Sequence, residues 1–234
     1  MSERDGSDLI FITGVLGSKW SAIVYALIYA EGVNISDVTV ERVQGGIPLH
    51  FGSYFGFGME YGDGFANLES LGRDALYDEF DKPFSEKGGV RLIKSHLFSR
   101  SLPYLRACFP KARFLLVYRT NRQCLDWWQK SGGFRIRFPD YTWYEDSGNM
   151  AEQIALDNNG ITAFAKATGH DLVRHDSLQP VLDSLGLNYR KTHVNKVKKN
   201  EYERRYGYGA RSADAIIEEC LGVSRLARLS VVTG

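Results

Sequence analysis

Lys94 and His96 stand two residues apart in the stretch RLIKSHLFS (91–99). Two residues is the strand period, so a strand here sends both side chains out from one face. Lysine brings a fixed cation, and an imidazole titrates near neutral pH. The pair therefore suits the removal of a proton beside a negatively charged group. A second stretch, TGVLGSKWS (13–21), runs from an apolar segment straight into a helical pattern. Gly14 and Gly17 permit a tight turn there. The amides at the helix start then face outward at the positive end of the helix dipole, which makes an anion site. Ser18 and Ser21 add hydroxyl donors, and Lys19 adds a mobile cation. A third candidate is Arg119, at the end of ARFLLVYR (112–119).

The same residues also have structural readings. His96 can be a strand-end histidine capping a neighbouring helix, and Lys94 an exposed strand-end charge. Arg119 can be half of an ion pair, and the glycine-rich turn can hold no ligand at all. Trp127 and Trp128 are adjacent on a helical pattern, so at most one fully faces a core; the other is open to line a site. His50 reads as a surface residue. What favours chemistry is co-location. Lys19, His96 and Arg119 fall at successive strand ends, on the edge where α/β sheets bind ligands.

The turn is not a nucleotide triphosphatase loop. That motif is G-x-x-x-x-G-K-[ST]; counted from Gly14, the second glycine falls on Lys19. The strand FLLVYR also ends in arginine rather than in an aspartate able to help hold magnesium. An anion suits this loop better than a metal–triphosphate. No cysteine pair among Cys108, Cys124 and Cys220 has zinc-ligand spacing, and no metal is expected.

These residues need a scaffold, and apolar runs alternating with helical patterns provide one. Strands are expected at 8–13, 37–43, 88–96, 112–119 and 170–176. Helices are expected at 18–32, 101–109, 121–130, over most of 147–168, and at 177–186 and 212–222. Continuous apolar strands between helices predict a parallel sheet covered on both faces, a three-layer α/β/α domain spanning 1–234. Two stretches break the rhythm. Residues 45–65 are dense in glycine and aromatics and read either as a binding lid or as a packed irregular connection. Residues 190–209 are basic and read either as a solvated segment or as an anion-binding flap.

Composition is that of an ordinary globular protein: 234 residues, 44% hydrophobic and 24% charged. A net charge of +1 gives no general case for nucleic acid or a membrane surface, so any anion site must be local. The apolar run near the start is too short for a signal peptide, and no stretch approaches a membrane span. Three widely spaced cysteines fit reduced thiols in a cytoplasmic setting.

With these pieces in place, the chain resembles the sulfotransferases that use 3′-phosphoadenosine-5′-phosphosulfate (PAPS). Their first strand is followed by a loop of the type Lys/Arg-Ser-Gly-Thr-Thr. Ser18 matches its serine and Ser21 its second hydroxyl residue, while Gly17 stands at the basic position and Lys19 at the glycine. LIKSHLFSRSLPYL (92–105) is similar to the family's IKTHLP…LLP segment, and places His96 on the catalytic base and Lys94 on the lysine before it. ARFLLVYRTNRQCLDWW (112–128) resembles a segment whose arginine, here Arg119, grips the cofactor's 3′-phosphate; Trp127 stands where the partnering serine lies. HDLVRHDSLQPVLDSLGL (170–187) is similar to a further strand and helix. The Asp-Trp-Lys signature near the C-terminus of the cytosolic animal enzymes is absent. Lys196, Lys198, Lys199, Arg204 and Arg205 stand in its place as candidates for closing over the cofactor.

The resemblance implies a P-loop-like α/β fold and transfer of a sulfuryl group from PAPS to a hydroxyl or amine. His96 would be the base, with Lys19 and Lys94 assisting. The implied nucleotide contacts are Gly14, Gly17, Ser18, Lys19, Trp20, Ser21, Arg119 and Trp127. The acceptor is expected to be a small molecule, a glycan or a lipid. Residues 45–65 and 132–146, rich in aromatics, are candidates for its pocket, with Asp140, Glu145 and Asp146 able to recognise a cation. The rival readings are a P-loop kinase-like phosphotransferase and a non-catalytic nucleotide-binding module.

Overall fold

The structure is a computed structural model that describes residues 4–28, 30–39, 52–56, 60–61, 68–130, 147–174, 182–183 and 185–187. The strands are β1 (Leu9–Gly14), β2 (Phe55–Gly56), β3 (Glu60–Tyr61), β4 (Arg91–Lys94), β5 (Arg113–Val117) and β6 (Leu172–Val173). The helices are α1 (Trp20–Leu27), α2 (Arg73–Asp81), α3 (Leu102–Cys108), α4 (Asn121–Lys130) and α5 (Ser147–Thr168), with a 3₁₀ turn at Leu97–Arg100.

Four strands form one parallel sheet in the order β4-β1-β5-β6. β1 and β5 are its inner strands: in β1, Ile10 pairs with Leu92 on one side and with Arg113 on the other. All six β1 residues are buried, which explains why LIFITG is apolar without alternation. Neighbouring residues of β1 serve opposite layers. Ile10 and Ile12 pack with Ile23 and Leu27 of α1. Leu9 and Phe11 pack with residues of α2, α3, α4 and α5. Phe11 is the hub of that second layer, with the rings of Phe80, Phe98, Phe109 and Phe114 centred 5.3–5.6 Å away. Helices thus cover both faces of a parallel sheet, and the fold is α/β.

The amino end of β4 is tied down by a buried guanidinium. Arg91 donates to Asp81 at 2.6 Å and to Asp8, joining β4 to α2 and to the approach of β1. Neither layer rests on helix propensity alone: eight- to ten-residue helices such as α1, α2 and α4 are marginal in water and hold by packing an apolar face.

Several expectations need correction. The expected strand at 37–43 is not a strand over its described part, 37–39. Asn34 Oδ1 accepts the N–H and the hydroxyl of Ser36, and Val38 N–H bonds back to Ile35, so the chain turns. The strand expected at 88–96 narrows to Arg91–Lys94, and His96 lies beyond it in a helical conformation at the start of the 3₁₀ turn. The helix expected at 18–32 narrows to Trp20–Leu27. Helix α2 was not expected at all. Of the glycine-rich stretch 45–65, Tyr54 and Phe55 are core residues, 2% and 0% exposed. The expected helix 212–222, the segments 132–146 and 190–209, and His50 lie outside the described residues, as does most of 177–186. Among the described residues, no helix is long and apolar enough to cross a membrane.

Candidate functional site

The turn between β1 and α1 lies at the carboxyl edge of the sheet. Its shape is set by two close approaches. A Cβ on Gly17 would come within 2.1 Å of the Cys124 carbonyl oxygen on α4, and the Gly17 φ is +79°. Only glycine fits there. A basic side chain at 17 would collide with α4, and the cation of this turn stands at 19. Lys19 pays for that position with a left-handed backbone, φ +66°. It is the residue preceding α1, and its side chain makes no cap; the first turn of the helix holds no acid. A Cβ on Gly14 would lie 2.7 Å from the Ser18 hydroxyl, so the serine is folded back inside the turn. Ser18 is 1% exposed, and its Oγ has no hydrogen-bond partner among the described residues. A buried hydroxyl left without a partner is costly, about 1–3 kcal/mol, and marks a place where a polar ligand would be accommodated.

Lys19 and Arg119 each lie against the same aromatic ring. Lys19 Nζ lies 4.7 Å from the centre of the Trp127 indole, and Arg119 Cζ lies 5.9 Å from the same centre. Arg119 also donates to the Gly17 carbonyl at 3.3 Å, which ties the end of β5 to the turn. Its own carbonyl accepts from the Asn158 amide at 2.9 Å, so α5 fixes it from behind. Of the two tryptophans, Trp128 is in the core at 3% exposure and Trp127 is 36% exposed beside the cations. The indole thus carries two cations within 6 Å of its centre, and a partly exposed ring with two cations beside it suits an anionic or aromatic ligand. Ser21 is half-buried in the first turn of α1.

His96 is nearly sealed, at 8% exposure. Its Nδ1 bonds to the Gly14 carbonyl, which can only accept, so Nδ1 carries the proton. Nε2 is left with its lone pair, and it accepts the Trp20 indole N–H at 3.2 Å. The His96 backbone N–H donates to the Tyr54 hydroxyl at 3.2 Å, and its carbonyl accepts from Thr13 and Ser99. Burial pulls the imidazole pKa from 6.5 down to about 4; the Gly14 carbonyl and the charge of Asp157 act the other way, less strongly. The ring is neutral at pH 7.

Lys94 faces elsewhere. It is 1% exposed, and its amino group lies 3.7 Å from Asp37, whose same oxygen accepts the N–H and hydroxyl of Ser53 at 2.8 Å. The structure therefore joins Gly14, Gly17, Ser18, Lys19, Arg119 and Trp127 in one place and puts Trp20 and His96 behind it. Lys94 is engaged with Asp37. The reading of Lys94 and His96 as a pair on one strand face fails, because His96 is past the strand. Tyr54 and Asn158 were not picked out from sequence; a tyrosine in an aromatic loop and an asparagine inside a helix signal nothing until their partners are placed. An open depression of about 520 Å³ lined by Gly72, Arg73, Asp74 and Cys108 contains none of these residues.

No protein-family model matches the chain, and no curated protein matches it.

Proposed function

We propose that the chain is a sulfotransferase of P-loop-like α/β fold, taking its sulfuryl group from PAPS. The observation that carries this reading is that Lys19 and Arg119 both lie against the Trp127 ring, with Arg119 tied to the Gly17 carbonyl, beside the start of α1 and the buried Ser18 hydroxyl. Cations, a helix start and a hydroxyl without a partner fit the phosphate end of such a nucleotide. Bound PAPS would supply an SO₃ group already activated on a phosphate leaving group.

In this reading the residues 14–21 hold the 5′ end. Lys19 neutralises the charge that grows on the leaving oxygen, which is the kind of aid that counts most in the transition state. Arg119 grips the 3′-phosphate, with the Trp127 ring where the resembled family has a hydroxyl. His96 has one basic atom to offer, Nε2. The acceptor hydroxyl or amine must take the place of the Trp20 N–H at that atom before its proton can move. The acceptor is proposed as a small molecule, a glycan or a lipid.

A second reading, a nucleotide-binding module without turnover, is favoured by one observation: both His96 ring nitrogens already have protein partners.

The test is a calorimetric titration with 3′-phosphoadenosine-5′-phosphate (PAP), the product nucleotide, run without metal beside magnesium–ATP. PAP is expected to bind. Arg119→Ala is expected to weaken it about tenfold to a hundredfold, the worth of one charged hydrogen bond. Absence of PAP binding, or a preference for magnesium–ATP, would sink the proposal. PAP binding with no sulfuryl transfer to hydroxyl or amine acceptors would favour the module.

A further inference from the structure

We infer that His96 and Trp20 form a clasp across the β1–α1 turn, with Trp20 as a positioning residue that holds the imidazole in one tautomer. Gly14 is the last residue of β1 and Trp20 the first of α1. Between them, Ser18 N–H bonds to the Val15 carbonyl, Ala22 N–H bonds to the Lys19 carbonyl, and Arg119 reaches the Gly17 carbonyl. One imidazole bridges the two ends directly, donating a hydrogen bond to the Gly14 carbonyl and accepting one from the Trp20 indole N–H.

The polarity of the bridge admits only one arrangement. The Gly14 carbonyl demands an N–H and the Trp20 indole demands a lone pair, and the neutral Nδ1–H tautomer offers both. The opposite tautomer would set a lone pair against the carbonyl and an N–H against an N–H. The doubly protonated ring would keep the Gly14 bond and break the Trp20 one, in a site closed to water. The ring stands edge-on to Trp20, centroids 4.9 Å apart, with Tyr54 at 5.8 Å, so it has little room to flip.

Among the described residues, three charged or titratable groups bear on His96: Tyr54, Asp157 and Lys94. Tyr54 lies against it, with its own pKa raised by burial. Asp157 of α5 acts at longer range and is itself paired with Arg100 at 3.2 Å. Lys94, two residues away, is engaged with Asp37. None of these three donates a hydrogen bond to Nε2 in place of Trp20. The role of the clasp is to keep the turn shut around its anion seat, with Lys19 held in its left-handed conformation. That link to anion binding rests on the nucleotide reading above; the clasp itself does not.

The test uses the whole chain and Trp20→Phe, which keeps a ring and removes the N–H. Histidine ¹⁵N NMR is expected to show His96 as the Nδ1–H tautomer, neutral down to pH 5. In Trp20→Phe its midpoint should rise, because the lone pair is no longer shared. Backbone amides 15–20 should exchange about tenfold faster, and PAP affinity at pH 7 should fall about tenfold, the worth of one buried hydrogen bond. Ile23→Val, in the same helix and equally buried, is the control for general damage to α1. An Nε2–H tautomer in the unaltered chain would overturn the clasp. So would amide exchange within twofold of the unaltered chain in Trp20→Phe, or equal acceleration in Ile23→Val. If the unaltered chain binds no PAP, the nucleotide reading falls, while tautomer and exchange still decide the clasp.

Discussion

Lys19 carries a conflict between backbone and side chain. A left-handed φ costs a non-glycine residue about 1–2 kcal/mol. Glycine would remove that cost and lose roughly 0.5–1 kcal/mol in unfolded-chain entropy. The first figure is the larger, so Lys19→Gly is expected to stabilise the fold by up to about 1 kcal/mol in urea unfolding. The same change removes a cation from the Trp127 ring, so PAP affinity should fall in calorimetry. Gain in stability with loss of binding is the signature of strain kept for function. An unaltered or tighter affinity would show that the lysine has no part in binding. The sequence made Lys19 visible as a cation after two glycines. It did not reveal why the cation stands at 19 rather than 17, because the obstacle is the carbonyl of Cys124, more than a hundred residues away in the chain. His96 was likewise visible as a titrating group, but its tautomer depends on Gly14 and Trp20, which only the fold brings to it.

At the scale of elements, the β1–α1 turn is moulded against α4. Gly17→Ala would add a Cβ at 2.1 Å from backbone and force it into a positive φ. Neither can be relieved by a side-chain rotation. A loss of about 2 kcal/mol or more is expected in urea unfolding, together with loss of PAP binding. Stability within 0.5 kcal/mol of the unaltered chain would mean that the turn does not rest on α4. The strands β1 and β5 were legible because LIFIT and FLLV are apolar without a break, and α5 because its pattern runs for 22 residues. Helix α2 was missed: RDALYDEFD fully buries only Leu76 and Phe80, and five of its nine residues are charged. Over its described part, 37–39, the strand expected at 37–43 was a false alternation. Val38 is buried, but Asp37 turns inward to Ser53 and Lys94, which no period-2 pattern conveys.

For the whole molecule, the buried imidazole couples stability to acidity. The folded pKa of His96, about 4, lies below the ordinary 6.5, so the unfolded chain takes up a proton that the folded chain refuses. Above pH 6.5 both states are neutral and the contribution is complete. It drains away as the pH falls from 6.5 towards 4, by roughly 3 kcal/mol at this depth of burial. Urea unfolding at pH 7, 6, 5 and 4 should show this slope, and His96→Asn should flatten it. An equal slope in that variant would mean other groups carry the acid sensitivity.

The order of strands in the sheet also sets a timetable. β1 sits between β4 and β5, and Ile10 finds its partners only at Leu92 and Arg113. On the ribosome, its apolar backbone must wait for roughly a hundred further residues, which takes about 5–20 s at ordinary translation speed. Until β4 is made the nascent segment is unpaired on both sides, and until β5 is made on one, open to other chains as much as to its own. The arrangement that later buries β1 most completely is the one that leaves it longest in need of a chaperone.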